Sequence, residues 1–197
     1  MTVAQMAAPG SYPVRLDVSY PDRLSRLLIF VKGLLAIPHL LILWALLAVA
    51  GIMRFIAFFA ILFTGKYPEG MFKFVVGIER WQYNVSAYVL LLRDEYPPFS
   101  MDAGKYALTY DIDYPDRLNR WLIFIKWLLV LPNLLVLLVF AVAWYFVGII
   151  AWFAILVTGK YPESLFKFTV GVLRWGARVN AYANFMTDAY PPFSLAP

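Results

Sequence analysis

The apolar positions of the chain fall into three patterns, and the whole set occurs twice, 94 residues apart. Val14-Arg15-Leu16-Asp17-Val18 and Leu108-Thr109-Tyr110-Asp111-Ile112 alternate apolar with polar residues, which predicts two half-buried strands able to pair with each other. Leu27 to Phe63 and Trp121 to Val157 are nearly unbroken apolar blocks of 37 residues. Beyond each block, Phe74, Ile78, Trp81, Val85, Tyr88 and Leu92, and again Phe168, Val172, Trp175, Val179, Tyr182 and Met186, recur at alternating steps of four and three. That spacing predicts a helix with one apolar stripe.

Short motifs mark the borders of these patterns. Tyr20-Pro21-Asp22-Arg23-Leu24 returns at Tyr114 to Leu118, Thr64-Gly65-Lys66-Tyr67-Pro68-Glu69 at Thr158 to Glu163, and Tyr96-Pro97-Pro98-Phe99-Ser100 at Tyr190 to Ser194. The chain therefore reads as a tandem duplication, in which any difference between copies is informative. The expected organisation is a tail over 1–10, a first repeat over 11–100, a linker over 101–105 and a second repeat over 106–197. Pro21-Asp22 and Pro115-Asp116 have the composition of helix starts. Thr-Gly-Lys has no preceding Gly-x-x-x-x-Gly frame and is not a phosphate loop. It reads as a helix end, with glycine as the cap, lysine near the negative end of the helix dipole and proline as the stop.

A straight helix of 37 residues runs roughly 55 Å, against a hydrocarbon core of about 30 Å. Each block must then bend, with an interfacial part ending near Pro38 or Pro132, or fold back as a hairpin. Setting Arg54 aside, four Lys and Arg residues precede the first block's apolar stretch, eight lie between the stretches and four follow. One crossing per repeat would place eight on each side, whereas hairpins place all sixteen on one face, as the positive-inside tendency favours. The predicted fold is an all-α membrane protein with minor β. It is a tandem repeat of two parallel hydrophobic helical hairpins with tips near Gly51 and Gly148, each followed by an amphipathic interfacial helix whose stripe faces lipid or, as the equal alternative, packs on the hairpins, with short strands outside the membrane. No basic stretch or apolar run opens the chain as in a secretory signal, so the expected setting is multi-pass in the inner membrane with both termini cytoplasmic.

Composition supports the membrane reading: 62% of residues are hydrophobic, 18% aromatic and only 15% charged, with a mean hydropathy of +0.70. The absence of cysteine excludes disulfides, thiolate metal sites and cysteine nucleophiles. A net charge of +5 distributed around apolar segments points to anionic lipid and not to nucleic acid. The expected interfacial residues are Arg23, Lys66, Lys73, Arg80, Arg117, Lys160, Lys167, Arg174 and Arg178, with Trp81 and Trp175 in an aromatic belt.

Three polar residues interrupt the apolar blocks. His39, the one histidine, follows Pro38, and Asn133 holds the equivalent place, so both are expected to bond backbone groups freed by the proline. Arg54, opposite Gly148 in the alignment, is expected to snorkel outward, a buried ionic role being the sharper alternative. Asp17, Asp22, Asp111, Asp113 and Asp116 lie near Arg23 or Arg117 and read as local ion pairs and helix starts. No nucleophile elbow or metal-ligand helix is present, so no catalytic residue, metal or cofactor is expected.

Taken together, Tyr-Pro-Asp-Arg-Leu, Lys32 with Ile37-Pro38-His39, Phe59 through Pro68, Arg80-Trp81 and Tyr96 through Ser100 resemble the prokaryotic membrane domain of unknown function numbered 4389. The resemblance spans about Tyr12 to Leu195, departs at Asn133, and implies a membrane setting but no activity. The expected function is a noncatalytic structural or accessory subunit that docks to another membrane complex or to itself. The alternatives are lipid binding with membrane shaping by wedge hairpins and, third, a transport component with a path through His39, Arg54 and Asn133.

Overall fold

A computed structural model describes residues 12–105 and 107–196; the tail expected over 1–10 lies outside them. The elements in chain order are β1 (Val14–Val18), α1 (Leu28–Thr64), α2 (Glu69–Val89), β2 (Leu108–Ile112), α3 (Leu122–Leu129), α4 (Leu131–Thr158) and α5 (Glu163–Ala183). Both strands occupy the predicted residues and pair antiparallel, with Leu16 opposite Tyr110 at the centre. Leu16 and Tyr110 are equivalent positions of the two copies, so a pseudo-two-fold axis passes between them. Along that axis the molecule is layered. The ribbon packs on α2 and α5, and those two helices pack in turn on α1 and α4.

The hairpins are not formed. α1 is one continuous helix through Gly51, and its buried residues Ile29, Lys32, Ala36, His39, Leu43, Ala50, Ala57 and Ile61 follow steps of three, four and seven. These positions form one continuous buried stripe along the helix, and folding back at Gly51 would break it. The second copy is interrupted only at Val130, ahead of Pro132, so Leu122–Thr158 forms an equally long run. The Leu24 N–H donates to the Gly159 carbonyl and the Leu118 N–H to the Gly65 carbonyl, each at 2.8 Å. Phe30 meets Trp152, and Phe124 meets Phe58, edge to face. The long helices are therefore antiparallel, not parallel hairpins. The charge count misled because Lys32, Lys126, Arg174 and Arg178 are buried in the protein.

Pro21 and Pro115 do not start helices. Tyr20 to Leu24 and Tyr114 to Leu118 are irregular, each docked on the other copy's Gly-Lys-Tyr turn: the Tyr20 and Tyr114 hydroxyls donate to the Tyr161 and Tyr67 carbonyls. Helix initiation falls to Ser25, whose Oγ accepts from Leu28 N–H at 3.3 Å, and to Asn119, whose Oδ1 accepts from Trp121 N–H at 2.9 Å. The predicted glycine caps are present, Gly65 at φ 73° and Gly159 at φ 71°, closing α1 and α4 on Ile61 and Ile155.

The stripes of α2 and α5 face protein, not lipid. Ile78, Trp81, Val85, Tyr88 and Leu92 are buried, as are Val172, Trp175, Val179, Tyr182 and Met186. These helices form the middle layer, so their apolar faces are consumed by α1 and α4.

Candidate functional site

Positions at which the copies differ converge on one point in the middle layer. Arg54, Glu79, Tyr83, Tyr110 and Asn180 correspond to Gly148, Leu173, Ala177, Leu16 and Ser86. Glu79 is 0% exposed. Its Oε1 accepts from Arg54 Nη2 and Asn180 Nδ2, both at 2.9 Å, and its Oε2 accepts from the Tyr110 hydroxyl at 2.6 Å. The cluster thus ties α1, α2, α5 and β2 together. Arg54 takes the buried ionic role and does not snorkel free, because Glu79 supplies the counter-charge.

Burial pushes the Glu79 carboxyl above its ordinary value, and the donors Tyr110, Arg54 and Asn180 oppose that shift. Burial together with the Glu79 charge raises the Tyr110 and Tyr83 hydroxyls. Tyr67 is buried with its hydroxyl unpaired, and burial raises it to about 12, while Arg54 and Glu79 act on it in opposite directions. Its equivalent, Tyr161, pairs with Thr169 Oγ1 at 3.0 Å, whereas the first copy has Val75 at the threonine position. A proton entering the cluster fits Oε2, because a tyrosine hydroxyl can exchange donor for acceptor and the N–H donors on Oε1 cannot.

A second constellation is duplicated. Lys32 Nζ donates to the Arg93 carbonyl at 2.6 Å, lies 2.8 Å from Asp94 Oδ1 and stands 5.1 Å from the Tyr88 ring centre. Lys126 repeats this with Thr187, Asp188 and Tyr182 at 2.6, 2.8 and 4.9 Å. Both ammonium groups are buried. The turns that bring these carbonyls into reach have Leu91 and Phe185 at φ 63° and 65°, a left-handed conformation unusual for such side chains.

His39 and Asn133 do share a role, but their partner is an indole and not freed backbone. Trp81 Nε1 donates to His39 Nδ1 at 2.9 Å, and Trp175 Nε1 to Asn133 Oδ1 at 2.8 Å. Asn133 Nδ2 also donates to the Tyr190 hydroxyl at 2.9 Å, and Phe99 stacks on His39 with ring centres 3.9 Å apart. Trp81 and Trp175 are therefore core residues and not a lipid belt.

Of the expected lipid-facing cations, Arg23, Lys66, Lys73, Arg117, Lys160 and Lys167 are exposed. Arg80 and Arg174 are staples instead. Arg80 donates to the Tyr110 and Met101 carbonyls and Arg174 to those of Leu16 and Leu195, and they pair with Asp111 and Asp17. Those aspartates therefore bind across layers and not to Arg23 or Arg117 nearby. Arg178 is buried, its guanidinium 5.4 Å from the Tyr12 ring centre. Among the described residues no group of His, Cys, Asp and Glu is arranged to hold a metal.

A model of a domain of unknown function, DUF4389, matches residues 26–101 and 120–194. The chain belongs to this family, in two tandem copies. No curated protein and no solved structure matches it. Each match spans a long helix, the middle-layer helix and the Tyr-Pro-Pro-Phe-Ser segment; both ribbon strands lie outside. The Lys–Asp–Tyr constellation and the Trp81 or Trp175 bond fall wholly within the matched residues of each DUF4389 copy. The Glu79 cluster does not: Arg54 and Glu79 come from the first copy, Asn180 from the second and Tyr110 from the unmatched ribbon. Glu79, Asp94, Asp188 and Asn180 escaped the sequence reading. Comparing the copies position by position would have flagged Glu79, an acid directly after Val75-Val76-Gly77-Ile78 whose equivalent is Leu173.

Proposed function

We propose that this protein is a noncatalytic, membrane-embedded structural or accessory subunit that docks through the outward faces of α1 and α4 to another membrane protein or to a second copy. The observation that carries this reading is the bareness of those faces. Both runs are long and apolar enough to cross a membrane, yet only 17% and 6% of their most apolar windows are covered by the protein. The polar side chains within these runs, Lys32, His39, Arg54, Lys126 and Asn133, are by contrast bonded to internal partners. Contiguous apolar surface on this scale marks a membrane or a partner. The inner membrane is the proposed location, with anionic lipid beside the exposed cations.

The internal bonding of His39, Asn133 and Arg54 favours a scaffold over a transport path, since each already has a partner inside the core. Membrane shaping by wedge hairpins loses its wedge, because α1 does not fold back. Isolation from native membranes in mild detergent is expected to retain a partner at fixed stoichiometry or a defined oligomer. A monodisperse monomer under every mild condition would remove the docking reading.

A further inference from the structure

We propose that α1 and the α3–α4 run lie in the plane of the membrane, side by side within one leaflet, and do not cross it. The proposal rests on the membrane reading above and concerns its geometry.

The layering is the first reason. The pseudo-two-fold axis runs from the ribbon through α2 and α5 to the α1–α4 layer, so the chain is a slab with two unlike faces. The ribbon face carries the exposed ion pair Arg15–Asp113, with Asp111 beside it. The opposite layer carries most of the large exposed apolar side chains. Such a slab suits in-plane embedding, where an apolar face enters the acyl region and the polar face stays in water.

Position along the helices is the second. Leu46 is the midpoint of α1, and Arg54 lies eight residues, about 12 Å at 1.5 Å per residue, toward its C-terminal end. Arg54 is bonded to Glu79, and the adjacent Arg80 is paired with exposed Asp111. The two-fold places the Arg174–Asp17 pair equally far on the other side of the midpoint. A centred crossing would hold both carboxylates inside a core of half-thickness about 15 Å. Sliding the molecule frees one only by driving the other deeper, where an ionised group is more costly still.

Length is the third. Leu27, Phe63, Trp121 and Val157 at the ends are 80%, 72%, 77% and 70% exposed, so the apolar surface extends over the full helices and far exceeds a core of about 30 Å. In the plane this mismatch disappears, and helices about 10–12 Å across fit a leaflet of about 15 Å. The inter-repeat junctions also gather exposed cations at both ends of the slab, Lys66 with Arg120 and Lys160 with Arg26. An in-plane placement sets both ends, and with them the exposed cations Lys66, Arg120, Lys160 and Arg26, at one headgroup layer, whereas a crossing would part them.

The natural absence of cysteine makes the test direct. Single cysteines replace exposed Lys66 or Lys160 in the full chain, and sealed inverted and right-side-out vesicles are treated with a membrane-impermeant maleimide. Both positions are expected to react from the same side; reaction from opposite sides overturns the proposal. Recovery of the chain in the soluble fraction, with both positions open before and after lysis, would instead remove the membrane reading itself. Nitroxides at exposed Leu34, Leu41, Ile52 and Phe63 supply a second measurement. Similar depths are expected, and a depth maximum at mid-helix refutes the in-plane geometry.

Discussion

Trp81 Nε1 donates to His39 Nδ1 at 2.9 Å, and this one bond fixes the tautomer of the chain's single histidine. An indole N–H can only donate, so Nδ1 is unprotonated and the proton of neutral His39 sits on Nε2. In this arrangement Nε2 offers no lone pair to a metal. His39→Asn reproduces the residue of the second copy and is expected to keep stability within about 1 kcal/mol, whereas His39→Leu orphans the buried indole and costs about 1–3 kcal/mol. Thermal unfolding in detergent measures the difference, and equal losses for both variants would show that shape rather than the bond matters.

Lys32 and Asp94 form the pair that recurs as Lys126 and Asp188. Lys32→Met removes the buried ammonium and leaves Asp94 and the Arg93 carbonyl without it, an expected loss of about 3–5 kcal/mol. Asp94→Asn in the same chain removes the stranded charge while preserving an acceptor for Ser25 N–H, and part of the loss should return. The equivalent changes at Lys126 and Asp188 are expected to add to these, since the sites share no residue. Denaturant midpoints of the singles and doubles measure both the recovery and the additivity.

Glu79 gives the fold a pH dependence of definite sign. Its folded-state pKa is raised above the ordinary 4.5, chiefly by burial, so its contribution is fully present below that value and is lost as pH rises through the folded value. Wild type is therefore expected to be more stable at mildly acid than at neutral pH, with a slope of at most about 1.4 kcal/mol per pH unit from one group. Glu79→Gln should flatten that slope. Glu69, Glu163 and Asp102 are held below the usual carboxylate range by Lys73, Lys167 and Lys105, so their contributions are lost only at more acid pH. Arg54→Gly alone leaves the buried carboxylate uncompensated, at about 3–5 kcal/mol near neutrality, and adding Glu79→Leu should recover most of it. Unfolding midpoints across the pH range check the slope, and an unchanged slope in Glu79→Gln would assign it to another group.

What could be read in advance was local or repeated. Alternation located β1 and β2 to the residue, and glycine followed by proline located the ends of α1 and α4, because these signals depend on neighbours in sequence. Tyr20-Pro21-Asp22 misled because its conformation is set by Tyr161 and Gly159 in the other copy, contacts that no local pattern encodes. The same holds for Arg54. Its partner Glu79 lies on another helix, and the bond to Asn180 crosses to the other repeat. Counting cations as membrane flanks failed for a related reason, since Lys32 and Lys126 have aspartate partners that appear only once α2 and α5 turn back over the long helices.

The glycines of α2 separate a packing constraint from an open position within one helix. A Cβ on Gly77 would lie 2.9 Å from Met101 Cβ, and one on Gly171 would lie 2.8 Å from Leu195 Cβ and 3.0 Å from its carbonyl oxygen. Neither neighbour is the free end of a flexible side chain, so the segment after Tyr-Pro-Pro-Phe-Ser must move, and the Arg80 and Arg174 bonds to Met101 and Leu195 move with it. Gly77→Ala and Gly171→Ala are each expected to cost about 1–3 kcal/mol, the second more because backbone is in the way. Gly70 meets no atom within 4 Å, so Gly70→Ala should stabilise α2 by up to about 1 kcal/mol through helix propensity alone. Adding Met101→Gly to Gly77→Ala removes the opposing Cβ and should restore part of the loss. Unfolding midpoints of this set decide the matter: if Gly77→Ala is as benign as Gly70→Ala, the segment bearing Arg80's carbonyl partner is not clamped against α2.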